Sequence, residues 1–100
     1  MAEPDAVQAD PKHYTVEAED DRVRVLRVRY GGGEKSVPHS HPAHVAIFLT
    51  DAQIRFNDQS GGPQEAQAKA GQFVLVPATT HQPENLAGQP LEVILVELKG

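Results

Sequence analysis

One hundred residues with 14 acids, 9 bases and no cysteine leave room for one domain and exclude disulfides and thiolate metal ligands. No apolar run approaches the ~18 residues that cross a bilayer as a helix, and no basic patch with interleaved aromatics points to a nucleic-acid partner. The net charge of −5 is concentrated at one end: residues 1–21 carry seven acids against Lys12, and the remainder carries eight bases against seven acids.

Residues 1–11 contain Pro4 and Pro11 and show no apolar periodicity. They read as a flexible arm, or one that packs late against a neighbour, ahead of a single domain over residues 12–100. The start lacks the basic and apolar segments of a signal peptide, so the cytoplasm is the default location, with a removed leader as the alternative. Residues 13–19 alternate Tyr14, Val16 and Ala18 with polar neighbours, which predicts an outer strand with His13 at the surface. Residues 22–30 form a second strand with Arg22, Arg24, Arg27 and Arg29 on its wet face. Its apolar alternation changes phase between Val25 and Leu26, which predicts a β-bulge there. Three glycines at 31–33 then make a turn.

The stretch over residues 38–50, PHSHPAHVAIFLT, is where the chemistry gathers. His39 and His41 are two apart, so on an extended backbone both side chains leave from one face and their ring nitrogens can converge on one ion. His44 follows where the apolar run begins. Neutral imidazole is the commonest protein ligand of divalent transition metals, and such a cluster is a metal signal.

Beyond it, residues 53–56 alternate as a short strand, 57–63 form a hairpin loop, and 64–70 read as an edge strand. Residues 71–77 read as a buried strand ending at Pro77 that delivers His81, followed by Asn85, for which backbone capping is the favoured role. Residues 91–98 are apolar at both parities, which predicts burial on both faces and hence a homodimer. Strands of this length with short turns and no helix-period segment indicate an all-β sandwich or barrel.

At the histidines the chain resembles the cupin superfamily, over about two thirds of its length. The first cupin motif is G, five residues, HxH, three or four residues, E, six residues, G. Here Gly33 stands five residues before His39-Ser40-His41. The second is roughly G, five residues, PxG, two residues, H, three residues, N. Gly71, Pro77, His81 and Asn85 follow it, with Thr79 in place of the second glycine and one residue fewer before the histidine. No glutamate follows His41 at the usual distance. Aligning Leu49-Thr50-Asp51 with the common Leu-Glu-Gly strand end puts His44 on the glutamate position.

The resemblance implies a small jelly-roll barrel of six to eight strands with the site inside one end. Its metal ligands would be His39, His41 and His81, with His44 as the fourth. The metal would be a divalent transition ion (Fe, Mn, Ni, Cu or Zn) and the partner a small-molecule substrate or ligand. A site of neutral ligands leaves the ion a stronger Lewis acid than one with a glutamate. The functional expectation is a histidine-ligated metalloenzyme, dioxygenase-like or an isomerase, with no protein residue as general base. The alternative is a non-catalytic barrel that binds or senses a metal or small ligand. Phe48, Phe56 and Phe73 are candidates to line an apolar pocket, with plain core packing as the competing role.

Overall fold

The computed structural model describes residues 4–57 and 62–100. Residues 58–61, the middle of the loop expected over 57–63, lie outside the described residues. A short helix α1 (Ala6–Ala9) precedes ten strands: β1 (Tyr14–Glu19), β2 (Val23–Tyr30), β3 (His39–His41), β4 (His44–Phe48), β5 (Ala52–Phe56), β6 (Gln64–Ala68), β7 (Phe73–Val76), β8 (Thr79–His81), β9 (Pro83–Asn85) and β10 (Leu91–Leu98). They form a five-stranded sheet in the order β1-β2-β10-β4-β7, a three-stranded sheet β6-β5-β9 and the pair β3-β8. All named pairings are antiparallel. Among the described residues the strand count exceeds the six to eight expected because β3, β8 and β9 are three-residue pieces, the first two carrying histidines.

The core lies between the five-stranded sheet and the two smaller ones. Leu26, Val28 and Tyr30 of β2, Ala46 and Phe48 of β4, Ala52 and Ile54 of β5, and Leu91, Val93 and Leu95 of β10 make one buried cluster. Leu26 is fully buried, and burying a side chain of that size contributes about 1.5–3 kcal/mol. Alternation explains the selection: in β4, His44, Ala46 and Phe48 face inward while Val45 and Ile47 are half-buried. In β10 the inward series is Leu91, Val93, Leu95 and Glu97.

Four local expectations are corrected. The bulge lies where the phase changes but on the opposite strand: Val16 pairs with Leu26 and Ala18 with Val25, so the extra residue belongs to β1. The β2–β10 register runs without a break. Strand β7 was expected to be buried, yet Phe73 and Leu75 are 66% and 78% exposed. It is an edge strand, hydrogen-bonded to β4 on one side only. Finally, His13 is only 5% exposed. Its ring stacks on Tyr30 at 4.2 Å, with Nδ1 2.7 Å from Asp10 Oδ2 and Nε2 3.0 Å from Glu34 Oε1. Phe73, a candidate pocket residue, is the fourth correction, because the edge position turns it to solvent.

The N-terminal arm, from Pro4 on, packs against the sheets. Ala6 is fully buried, Asp5 caps α1 through Val7 N–H, and Ser40 N–H donates to the Pro4 carbonyl at 2.9 Å. Positive φ at Gly33 (76°) and Gly71 (89°) lets the chain turn before β3 and before β7, conformations that side-chain-bearing residues rarely adopt. Asn85 has the structural role expected of it: its Nδ2 donates to the carbonyls of Gly31 and Gln89, and its Oδ1 accepts from Ala87 N–H.

Candidate metal centre

The pairing of β3 with β8 builds the site. His39 and His41 share a face because they are two apart, and His81 lies directly opposite His39 in the register. The three rings stand at nearly equal separations, with centroids 4.7, 4.8 and 5.0 Å apart and planes close to perpendicular. Each can place a ring nitrogen within 4.8 Å of the other two, so the group could hold a metal ion. His39 and His41 are buried. Phe56 stacks on His81 with centroids 5.3 Å apart, fixing that ring from the side.

Hydrogen bonds set which nitrogen faces the group. Val37 carbonyl accepts from His39 Nδ1 at 2.9 Å, and Glu97 carboxylate from His41 Nδ1 at 2.6 Å. Pro42 carbonyl accepts from His44 Nδ1 at 2.9 Å. A carbonyl only accepts, so the proton of a neutral ring must sit on Nδ1, leaving Nε2 with its lone pair. The Nε2 atoms of His41 and His81 are buried with no hydrogen-bond partner. Leaving such atoms unsatisfied in a folded interior is costly, and a divalent cation accepting those lone pairs removes the cost. The donor set therefore fits a transition metal that favours imidazole.

At His81 and His44 the electrostatics favour the neutral ring that coordination requires. Burial, reinforced by the neighbouring His41, His39 and His44, lowers the pKa of His81 to about 2. Burial also lowers His44, outweighing its hydrogen bond to Pro42. The nearest anion is Glu97. Burial opposes its ionisation, but hydrogen bonds from His41 and Arg24 outweigh that and hold its carboxyl below the ordinary value.

His44 adjoins this group. Its ring centroid is 5.0 Å from that of His41, and it is not among the three whose nitrogens converge. It does face inward and lines the same cavity, of about 120 Å³, with His41, His81, Tyr14 and Tyr30. The rest of the wall is apolar and includes Phe48 and Phe56. Tyr14 OH and Tyr30 OH are 2.7 Å apart, and the Tyr14 ring packs edge-on to His39 with centroids 4.7 Å apart. Burial pushes both hydroxyls up, well above the ordinary value for Tyr14, so both stay protonated.

Glu97, Arg24 and Tyr14 escaped the sequence reading. Glu97 left a signal: it stands at the inward parity of a strand whose other inward residues are Leu91, Val93 and Leu95, and a carboxylate there needs a partner inside. Tyr14 left none, because an aromatic residue in an outer strand reads as core.

No protein-family model and no curated protein matches the sequence. Solved structures do. A cupin domain from Bordetella pertussis Tohama I superposes with a TM-score of 0.81 at 22% identity, covering 100% of this chain and 99% of that one. A protein with a double-stranded β-helix domain from Klebsiella pneumoniae gives 0.68 at 19% identity, covering 87% and 76%. Bacillus subtilis oxalate decarboxylase, a protein with Mn(II) centres, gives 0.62 at 20% identity, covering 79% of this chain and 22% of its own. At these identities the likeness speaks for architecture, and the chain has the cupin fold, the double-stranded β-helix.

Proposed function

We propose that this protein binds a divalent transition metal through His39, His41 and His81, with His44 as the fourth ligand, and acts on a small organic molecule in the manner of a dioxygenase. The observation that carries the reading is the pair of buried, unpartnered Nε2 atoms of His41 and His81 in a group of three convergent histidines. A bound divalent ion supplies Lewis acidity and, if redox-active, a route to dioxygen chemistry. Manganese in the structurally similar oxalate decarboxylase supports a first-row ion.

The chain's own residues define the rest. Neutral imidazoles do not offset the charge of the ion, so an anionic group on the substrate is the complementary partner. The apolar wall of Phe48, Phe56, Val74 and Val93 excludes water around it. A cavity of about 120 Å³ suits a molecule on the order of a benzene ring, since an engineered cavity of ~150 Å³ takes benzene. Among the described residues, the Tyr14–Tyr30 hydroxyl pair supplies the polar side-chain groups of the wall besides the histidines.

A second reading, binding or sensing without turnover, is favoured by a lining that, among the described residues, carries no carboxylate, lysine or arginine. Metal-stripped protein reloaded separately with Fe, Mn, Ni, Cu and Zn, then assayed for oxygen uptake with simple diketones, catechols and flavonols, separates the two. Turnover tied to one metal supports the enzyme; tight metal binding with no turnover supports the sensor; failure to retain any of the five ions removes both.

The proposal includes a homodimer. The exposed apolar edge β7 supports it, because an antiparallel edge can pair with its own copy across a two-fold axis. Light scattering at micromolar concentration showing only monomer would remove that part.

A further inference from the structure

Strand β10 ends its inward series with a carboxylate. Glu97 is 2% exposed, deeper than most of the core, and it pairs across the strands with His44. With Leu49-Thr50-Asp51 aligned on the Leu-Glu-Gly strand end, His44 falls on the position of the cupin motif's glutamate. A buried carboxylate thus stands beside the convergent histidines from a different strand, and it meets an imidazole at His41 Nδ1, 2.6 Å away.

Glu97 is itself held from behind. Arg24 Nε donates to Glu97 Oε1 at 2.8 Å, and an Nη of the same guanidinium reaches that oxygen at 2.7 Å. Arg24 is also paired with Asp5, the residue that caps α1 in the N-terminal arm. One oxygen of Glu97 is committed to Arg24 and the other to His41, so neither the carboxylate nor the His41 ring can rotate without breaking a charge-assisted bond.

We infer that Glu97 is a positioning residue for the metal centre, fixing His41 with its proton on Nδ1 and its Nε2 lone pair toward His39 and His81, and that Arg24 and Asp5 hold Glu97 in place. The N-terminal turn is thereby part of the centre's support. A carboxylate accepting from the far nitrogen of a ligating imidazole also makes that ring a better donor, and loss of such a partner typically costs about 10–100-fold in metal affinity. The chain restores, one imidazole away, the anion that its first motif lacks. This inference rests on the metal reading above.

The test begins with the metal-free parent, whose His41 tautomer is read by ¹⁵N NMR of the ring nitrogens. The expected result is a ring protonated at Nδ1 with a strongly downfield Nδ1 proton; a ring found mainly as the Nε2–H tautomer overturns the inference without recourse to any variant. In Glu97→Gln the Nδ1 proton should move upfield, and affinity for Zn²⁺ and Mn²⁺ should fall about 10–100-fold. Asp5→Asn should produce the same change in smaller measure. A folded Glu97→Gln with parental affinity and an unmoved His41 resonance refutes the role of Glu97. Should the parent bind neither ion, the proposed function fails, and the tautomer measurement still decides on its own whether Glu97 orients His41.

Discussion

Two buried histidines show how little burial alone says about chemistry. His13 and His41 are 5% and 3% exposed, and the ring of each gives its Nδ1 to a buried carboxylate, Asp10 for one and Glu97 for the other. The difference lies at Nε2. That of His13 meets a second carboxylate, Glu34, at 3.0 Å, while that of His41 is buried against two other imidazoles with no hydrogen-bond partner. Both ring nitrogens of His13 are thus engaged by carboxylate oxygens, and neither is open to a metal. Glu34 is itself well served: the Gly31 N–H, then Lys12 and His13, lower its carboxyl to about 2. His13 therefore ties the N-terminal arm to the turn after β2, whereas His41 offers a lone pair.

The sharpest way to break this contrast is to remove each ring in turn. Replacing His39, His41 or His81 by Ala should weaken metal binding by more than about 100-fold, beyond the range for loss of a supporting partner, as read by competition with a chelator. His13→Ala should leave that affinity unchanged. A variant of His13 that loses metal as severely as one of His41 would show that the two rings are not chemically distinct.

His13→Ala should instead cost stability, about 1–3 kcal/mol, because Asp10 is left buried without its partner. Urea unfolding measures this. A midpoint equal to the parent's would mean that the arm contributes nothing to the fold.

His44 lies between the two cases, inward-facing with Nδ1 satisfied but outside the convergent group. His44→Ala should weaken metal binding at least about tenfold, and His44→Glu should keep the metal and shift its selectivity. Unchanged affinity in His44→Ala, with loss in the other three, would leave a three-histidine centre.

A slope with pH is expected in the metal-free protein. His81 has a lowered value in the fold, about 2 against 6.5 for the free side chain, because it is buried as the neutral ring. The unfolded chain then binds more protons below pH ~6.5, so the stability this ring contributes is complete above that pH and is lost as pH falls toward 2. Glu97, whose carboxyl is lowered, adds loss in the same direction further into acid. The urea midpoint of the parent should fall between pH 6.5 and 4.5, and that of His81→Gln should fall less. Equal slopes in the two proteins would contradict the assignment.

Much of this was legible in the sequence, for reasons of periodicity and spacing. The two-residue spacing of His39 and His41 put them on one face, whereas the parity of His44, Ala46 and Phe48 was settled by the fold. Glycines with positive φ fell at turns that need them. Local pattern found the edge strand β6 but could not tell that β7 is one too, because β4 and β7 read alike as apolar runs; only the sheet order decided that β7 has a neighbour on one side and stays exposed. Nor could it show that a phase change in β2 is absorbed by an extra residue in β1, since register is a property of two strands. The roles of the histidines were decided the same way. His13 and His41 carry the same side chain, and what separates them is the identity of the group each Nε2 meets, Glu34 from 21 residues away for one and the facing imidazoles for the other. Those partners are supplied by chain segments distant in sequence, and proximity of that kind exists only once the sheets have folded against each other.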